Sequence, residues 1–204
     1  MRTTRIFLDQ PLLTGDVSKL VDVTGDRAHY IRSVLRLKTG ASLIIFNGEG
    51  GEFVGKITHL SKARIGIQLS EYRPLERALD KPITIGLCIT KRDAMDIAVQ
   101  KVTELGAANI QPLISDRVSV AQKQIQSRQT HWRNITISAC EQCGRNTLPR
   151  IHPLAPLASW YNSALPPLRL VLHHREQTGP EAEELDFEAL TPLVSPLPNR
   201  RDTE

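Results

Sequence analysis

The chain has 204 residues, 40% of them apolar and 24% charged, the proportions of a globular protein of one large or two small domains. No window approaches the about 18 uninterrupted apolar residues of a membrane span, and MRTTRIFLDQPLL, broken by Asp9 and Pro11, is too short for a secretory signal. The net charge of +4 is unevenly spread: 12 Lys/Arg against 9 Asp/Glu in residues 1–80, 10 against 5 in 81–160, and 4 against 8 in 161–204. A basic body suits a polyanionic partner, although solubilising charge would look the same.

In chain order, RIFL (5–8), SLIIF (42–46), FVGKITHL (53–60) and RIGIQLSE (64–71) are rich in β-branched residues or alternate apolar with polar, which predicts strands. DRAHYIRSVLRLK (26–38) predicts one helix, with Asp26 as N-cap and Gly40 as stop. Its Ile31, Val34 and Leu35 would pack inward, while Arg32 and Arg36 share another face beside Lys38. GEGGE (48–52) lies between two strands, without the spacing of a phosphate loop, and predicts a hairpin turn. This half is expected to be a small β-barrel or curled sheet carrying one basic helix.

A polar linker lies within YRPLERALDKP (72–82), bounded by two prolines. Beyond it, ITIGLCI (83–89) predicts a strand buried on both faces. Asp93–Leu105 predicts a helix with Met95, Ala98, Val99 and Val102 inward and Gly106 as its stop. Strand 108–114, a helix from about Ile125 to Cys143 and strand 168–172 complete an α/β alternation with a parallel sheet. The final segment is acidic, then proline-rich, with no closing strand and helix.

From Lys91 to Arg145 the helices carry polar groups that packing does not demand: Gln100, Lys101 and Glu104 on the first, Glu141 and Gln142 on the second, then Arg117 and Arg145 after apolar runs. A solvated face with a Lys101–Glu104 pair would account for the first set, and a cation at a helix C-terminus for Arg145. Cys140 and Cys143 form C-x-x-C, but zinc needs four ligands and Cys88 stands alone, so core packing is expected and no metal. Three cysteines make no disulfide framework and point to a reducing cytosol. His29, His173 and His174 have no sequence partners, and no Ser/His/Asp or paired-carboxylate set can be assembled.

Three blocks, HYIRSVLRLKTG with FNGEGGEFVGKI, KRDAMDIAVQKVTELGAANIQPLISDR, and SACEQCGRNTLPRIHP, resemble the RsmE family of 16S rRNA uracil-N3 methyltransferases, in the SPOUT superfamily. The resemblance covers residues 1 to about 175. It implies an α/β protein overall: an N-terminal PUA-like β-barrel (1–73), a linker (74–82), and a SPOUT-type α/β domain with a parallel sheet (83–204). It also implies S-adenosylmethionine as cofactor, 16S rRNA of the small ribosomal subunit as partner, a cytoplasmic location, and a homodimer with its active site near the subunit interface.

On that resemblance Arg145, Gln142 and Glu141 would be catalytic, with Arg145 and Arg117 near the uracil anion or its phosphate. Arg32, Arg36, Lys38, Lys91, Arg92 and Arg117 would hold RNA, and Gln100, Lys101 and Glu104 form a polar cluster. The family's cofactor pocket is a trefoil knot announced by Gly-Pro-Glu-Gly-Gly and Arg-x-Leu-Arg-x-Glu-Thr-Ala. Neither motif is found: TGPEAEE (178–184) matches three letters without the glycine pair. The cofactor-binding residues are therefore unassigned, and the chain is expected to be a truncated copy of a longer enzyme, or alternatively an inactive rRNA-binding fragment.

Overall fold

The computed structural model describes residues 3–116, 122–163, 168 and 170, with 122–126 described by backbone alone. Met1–Ala164 form one compact unit, to which all the strands and helices of the described residues belong. Arg117, nearly all of the expected strand 168–172, His173, His174 and TGPEAEE lie outside the described residues.

The first half is a five-stranded sheet in the order β1-β3-β4-β5-β2. Its strands are β1 (Thr4–Phe7), β2 (Leu20–Thr24), β3 (Ser42–Phe46), β4 (Glu52–Leu60) and β5 (Arg64–Arg73). β1 runs parallel to β3 and every other pair is antiparallel. Register shifts at Val54/Gly55 and Ile57/His59 bend β4, so the sheet curls as a half-barrel around one apolar core that includes Ile6, Ile31, Leu43, Ile45, Ile57, Ile65 and Ile67.

The expected strands are present, and β2 is an additional one. Its two inward residues, Val21 and Val23, are too few to stand out in the sequence. Pairing opposite Ile67 and Ile65 of β5 selects them.

The predicted helix over 26–38 is shorter and differently wound. An α-helical turn, α1 (Gly25–His29), starts from Thr24 rather than Asp26 and passes into a π-helical turn over Tyr30–Val34. Leu35 N–H bonds to Tyr30 O and Leu37 N–H to Ile31 O (3.0 and 3.2 Å). This resembles a helix-ending motif widened by one residue, with Arg36 in the left-handed region at φ 52°. Ile31 stays buried and Leu35 packs against the core, whereas Val34 is rotated out to 62% exposure. Arg36 thus lies beyond the helix, not one turn above Arg32.

The second half has a parallel sheet of four strands, β6 (Thr84–Cys88), β7 (Asn109–Ile114), β8 (Arg150–Ile151) and β9 (Ala155–Pro156). β6, β8 and β9 all pair with β7, with β8 and β9 at different heights along it. The helices are α2 (Arg92–Glu104), α3 (Gln122–Cys143) and a short α4 (Leu157–Tyr161). β8, β9 and α4 are too short to carry a periodicity.

The expected inner stripe of α2 holds: Met95 and Val99 are buried, Ala98 and Val102 half-buried, and Thr103 joins them by turning its hydroxyl back to Val99 O (2.7 Å). β6 corrects an expectation. It is not buried on both faces but alternates exposed and half-buried, with Ile83 and Cys88 exposed. It lies at the end of the described sheet, with a partner strand on one side only.

Each half has its own core. Ile89, Met95, Val99, Ile110 and Trp132 anchor the second. Between the halves lies a smaller apolar patch, in which Phe7 and Phe46 meet Ile137, Cys140 and Leu148. Cys140 is fully buried there, in keeping with the packing expected of it.

Candidate functional site

The polar residues that end α3 converge on the contact between the halves. Glu141, 7% exposed, accepts the Phe7 N–H of β1 (2.9 Å) and pairs with Arg27 (3.1 Å). Burial holds its carboxyl above the ordinary range, against the lowering effect of those two partners.

Arg145 is 3% exposed, and its Nη1 donates to Thr103 O and Ala107 O (2.8 and 2.9 Å), the carbonyl-rich end of α2. That end is a Schellman motif: Gly106, at φ 103°, donates to Thr103 O and Ala107 to Val102 O. The run Glu104-Leu105-Gly106 is therefore a helix stop that Arg145 completes, its cation set against the negative end of the helix dipole.

Asn146, fully buried, donates to Glu52 Oε2 (3.2 Å) and Leu75 O (2.5 Å) and accepts from Arg5. Arg5 also meets Glu52 at 2.5 Å and reaches Arg145 O at 3.4 Å. Nearby, Arg77 donates to Gly144 O (2.6 Å) and Thr147 to Glu76. The linker is thereby pinned to the end of α3. GEGGE turns here as expected, but it also docks: Leu148 N–H bonds to Gly48 O (3.1 Å), and a Cβ on Gly48 would lie 3.0 Å from the Leu148 side chain.

The cations expected to hold RNA are placed differently. Arg36, Lys38, Lys91 and Arg92 are exposed. Arg32 is half-buried and donates to Lys62 O (2.7 Å), which brings exposed Lys62 beside it, and Arg32, Arg36, Lys38 and Lys62 together are the basic ridge of the first half. Lys91 is the N-cap position of α2. Arg92 borders a cleft of about 320 Å³ between α2 and α3, together with Thr90, Asp96, Arg128 and His131. This cleft opens just past the carboxyl end of β6, the edge at which parallel sheets commonly bind ligands.

Within the cleft His131 Nε2 lies 2.7 Å from Asp96 Oδ2, and Asp96 Oδ1 is buried with no partner among the described residues. A larger, open depression of about 630 Å³ beside Leu12–Asp16 is lined by Asp16 and Glu49 and offers no cation to a phosphate.

Gln100 is half-buried, Gln142 is exposed, and Lys101 pairs with Glu104 (2.8 Å) on the outer face of α2. The structure thus unites Glu141 and Arg145 in the junction, leaves Lys91 and Arg92 at the cleft, and sets Arg32, Arg36 and Lys38 on the first half. Sequence reasoning missed Arg5, Glu52, Asn146, Asp96 and His131. Their partners lie 35 to 141 residues away, beyond any local pattern.

A sequence model of an RNA methyltransferase domain matches residues 77–194, more than half of the chain, and one of an RNA methyltransferase PUA domain matches residues 23–69. The chain belongs to the RNA methyltransferase family. The resemblance drawn from the three sequence blocks is thereby borne out.

Two relatives named ribosomal RNA small subunit methyltransferase E come from strains of Buchnera aphidicola. One is 32% identical over 78% of this chain and 64% of its own length, the other 34% identical over 72% and 58%. The chain thus spans less than two thirds of the length of these relatives. Among solved structures, a putative methyltransferase from Legionella pneumophila in complex with SAM superposes with a TM-score of 0.79 at 30% identity, covering 85% of this chain and 71% of that one. A ribosomal RNA small subunit methyltransferase E from Neisseria gonorrhoeae, bound to S-adenosyl methionine, gives 0.74 at 30%, covering 81% and 67%. Among the described residues of this chain, no helix is long and apolar enough to cross a membrane.

Proposed function

We propose that this chain works as an S-adenosylmethionine-dependent methyltransferase on N3 of a uridine in 16S rRNA of the small ribosomal subunit, with a second copy of itself as partner and the cytoplasm as its location. The observation that carries the reading is the cationic cleft at the carboxyl edge of the methyltransferase-family half, in a chain whose other half bears an exposed basic ridge.

The chemistry needs the uracil N3 proton to leave and the resulting charge to be held. Lys91 and Arg92 are the cations placed to meet the target or its phosphate, and Gln142, exposed on α3, is the member of the expected catalytic trio open to RNA. Arg145 and Glu141 act through position, since both are buried and hydrogen-bonded within the protein. Arg36, Lys38 and Lys62 would follow the RNA backbone. The cofactor would supply the methyl group. Arg92 and Arg128 line the cleft beside the Asp96–His131 pair, which suits an RNA phosphate held next to a neutralised carboxylate, and the residues that would hold the donor are unassigned.

The same cleft and cations would also serve a second reading, rRNA binding without transfer. Calorimetric titration with S-adenosylmethionine, followed by transfer of labelled methyl to small subunits and nucleoside analysis, separates the two. Saturable binding and N3-methyluridine support the enzyme. RNA binding without heat or label supports the binding module, and neither activity rejects both.

A further inference from the structure

The ridge and the cleft lie on different halves, each with its own core, so what fixes one against the other decides whether a single RNA meets both. Among the described residues, the apolar cluster between them is the small patch of Phe7 and Phe46 against Ile137, Cys140 and Leu148. Such a patch attracts without fixing an angle, because apolar contact is non-directional.

Beside it, along with the Phe7–Glu141, Arg27–Glu141 and Leu148–Gly48 bonds, sits a closed polar triangle. Glu52 Oε2 takes both Arg5 Nη1 (2.5 Å) and Asn146 Nδ2 (3.2 Å), while Arg5 also donates to the Asn146 carbonyl oxygen. The three come from β1, β4 and the segment after α3. Glu52 and Asn146 are 3% and 0% exposed, and the Arg5 side chain 11%. Asn146 extends the triangle to the linker at Leu75 O, and its neighbour Arg145 extends it to the end of α2. Burying such groups is costly, and apolar residues of similar volume often hold as well. Directional bonds gain a single geometry instead.

We propose that Arg5, Glu52 and Asn146 are positioning residues that lock the basic ridge and the cleft at one mutual angle, so that one RNA engages both. Only the identity of the spanning ligand rests on the function proposed above; the lock itself does not.

The test uses the full chain, with ketone-bearing spin labels at exposed Lys56 and Asn134, so that the cysteines stay untouched. Glu52→Ala should broaden the inter-label distance distribution, and Glu52→Gln, which keeps the shape and an acceptor oxygen, should restore much of the parent's width. In parallel, affinity for a small-subunit rRNA fragment should fall about tenfold or more in Glu52→Ala, with affinity for a short oligonucleotide that reaches one half unchanged.

An unchanged width in folded Glu52→Ala overturns the lock. A broadened width with unchanged affinity for both RNAs overturns the positioning role. If Glu52→Ala does not fold, Asn146→Ala is read in the same way. If the parent binds no rRNA, the proposed function fails while the distance widths still decide the lock.

Discussion

Arg145 and Arg92 are the same kind of side chain in the same half of the molecule, and they sit in opposite settings. At the end of α3, Arg145 is 3% exposed, bonded to two carbonyls, and neighboured in sequence by Glu141 and Asn146, which are also buried. At the start of α2, Arg92 is exposed beside Lys91 on the rim of a cleft. A buried cation whose donors are spent on the backbone shapes the protein, and an exposed one on a concave edge is available to a ligand. Two of the groups that looked like chemistry in the sequence, Arg145 and Glu141, are buried and bonded within the protein.

The sharpest way to break this contrast is Arg145→Ala. It strands two helix-end carbonyls, so unfolding by denaturant should show a loss of about 3 kcal/mol; a loss under about 0.5 kcal/mol would show that Arg145 is not holding α2. Arg92→Ala should leave stability within about 0.5 kcal/mol of the parent. It should weaken rRNA binding and reduce the salt slope of log K by about one, and an unaltered slope would remove Arg92 from the interface.

Arg36→Gly should raise stability by about 1 kcal/mol, because a left-handed backbone costs a residue with a Cβ, while RNA affinity drops; a gain in both would take Arg36 off the ridge. The smallest effect concerns Glu141. Its carboxyl is raised above 4.5 in the folded chain. Its stabilising contribution is therefore complete below that value and fades as pH rises through the folded pKa. Compared with Glu141→Gln, the parent should lose stability over that interval, and parallel stability-versus-pH curves would refute the assignment.

The legible parts of the fold were those with local periodicity: four strands of the first half, the inner stripe of α2, and the long α3. The Glu104-Leu105-Gly106 stop was legible as well, since its turn needs a residue tolerant of positive φ. The break of the first helix at Arg36 was not, because nothing in HYIRSVLRLK signals a π turn. The short strands β2, β8 and β9 depend on the partners that select them.

By itself the sequence determined the change from a strand-rich first half to an α/β second half, the basic body and the resemblance to RNA methyltransferases, since these reside in composition, periodicity and motif order. Only the tertiary structure decided which polar residues face inward. Glu52, Arg5 and Asn146 lie up to 141 residues apart in the chain. A buried charge becomes tolerable only once its distant partners arrive to replace the water it has lost.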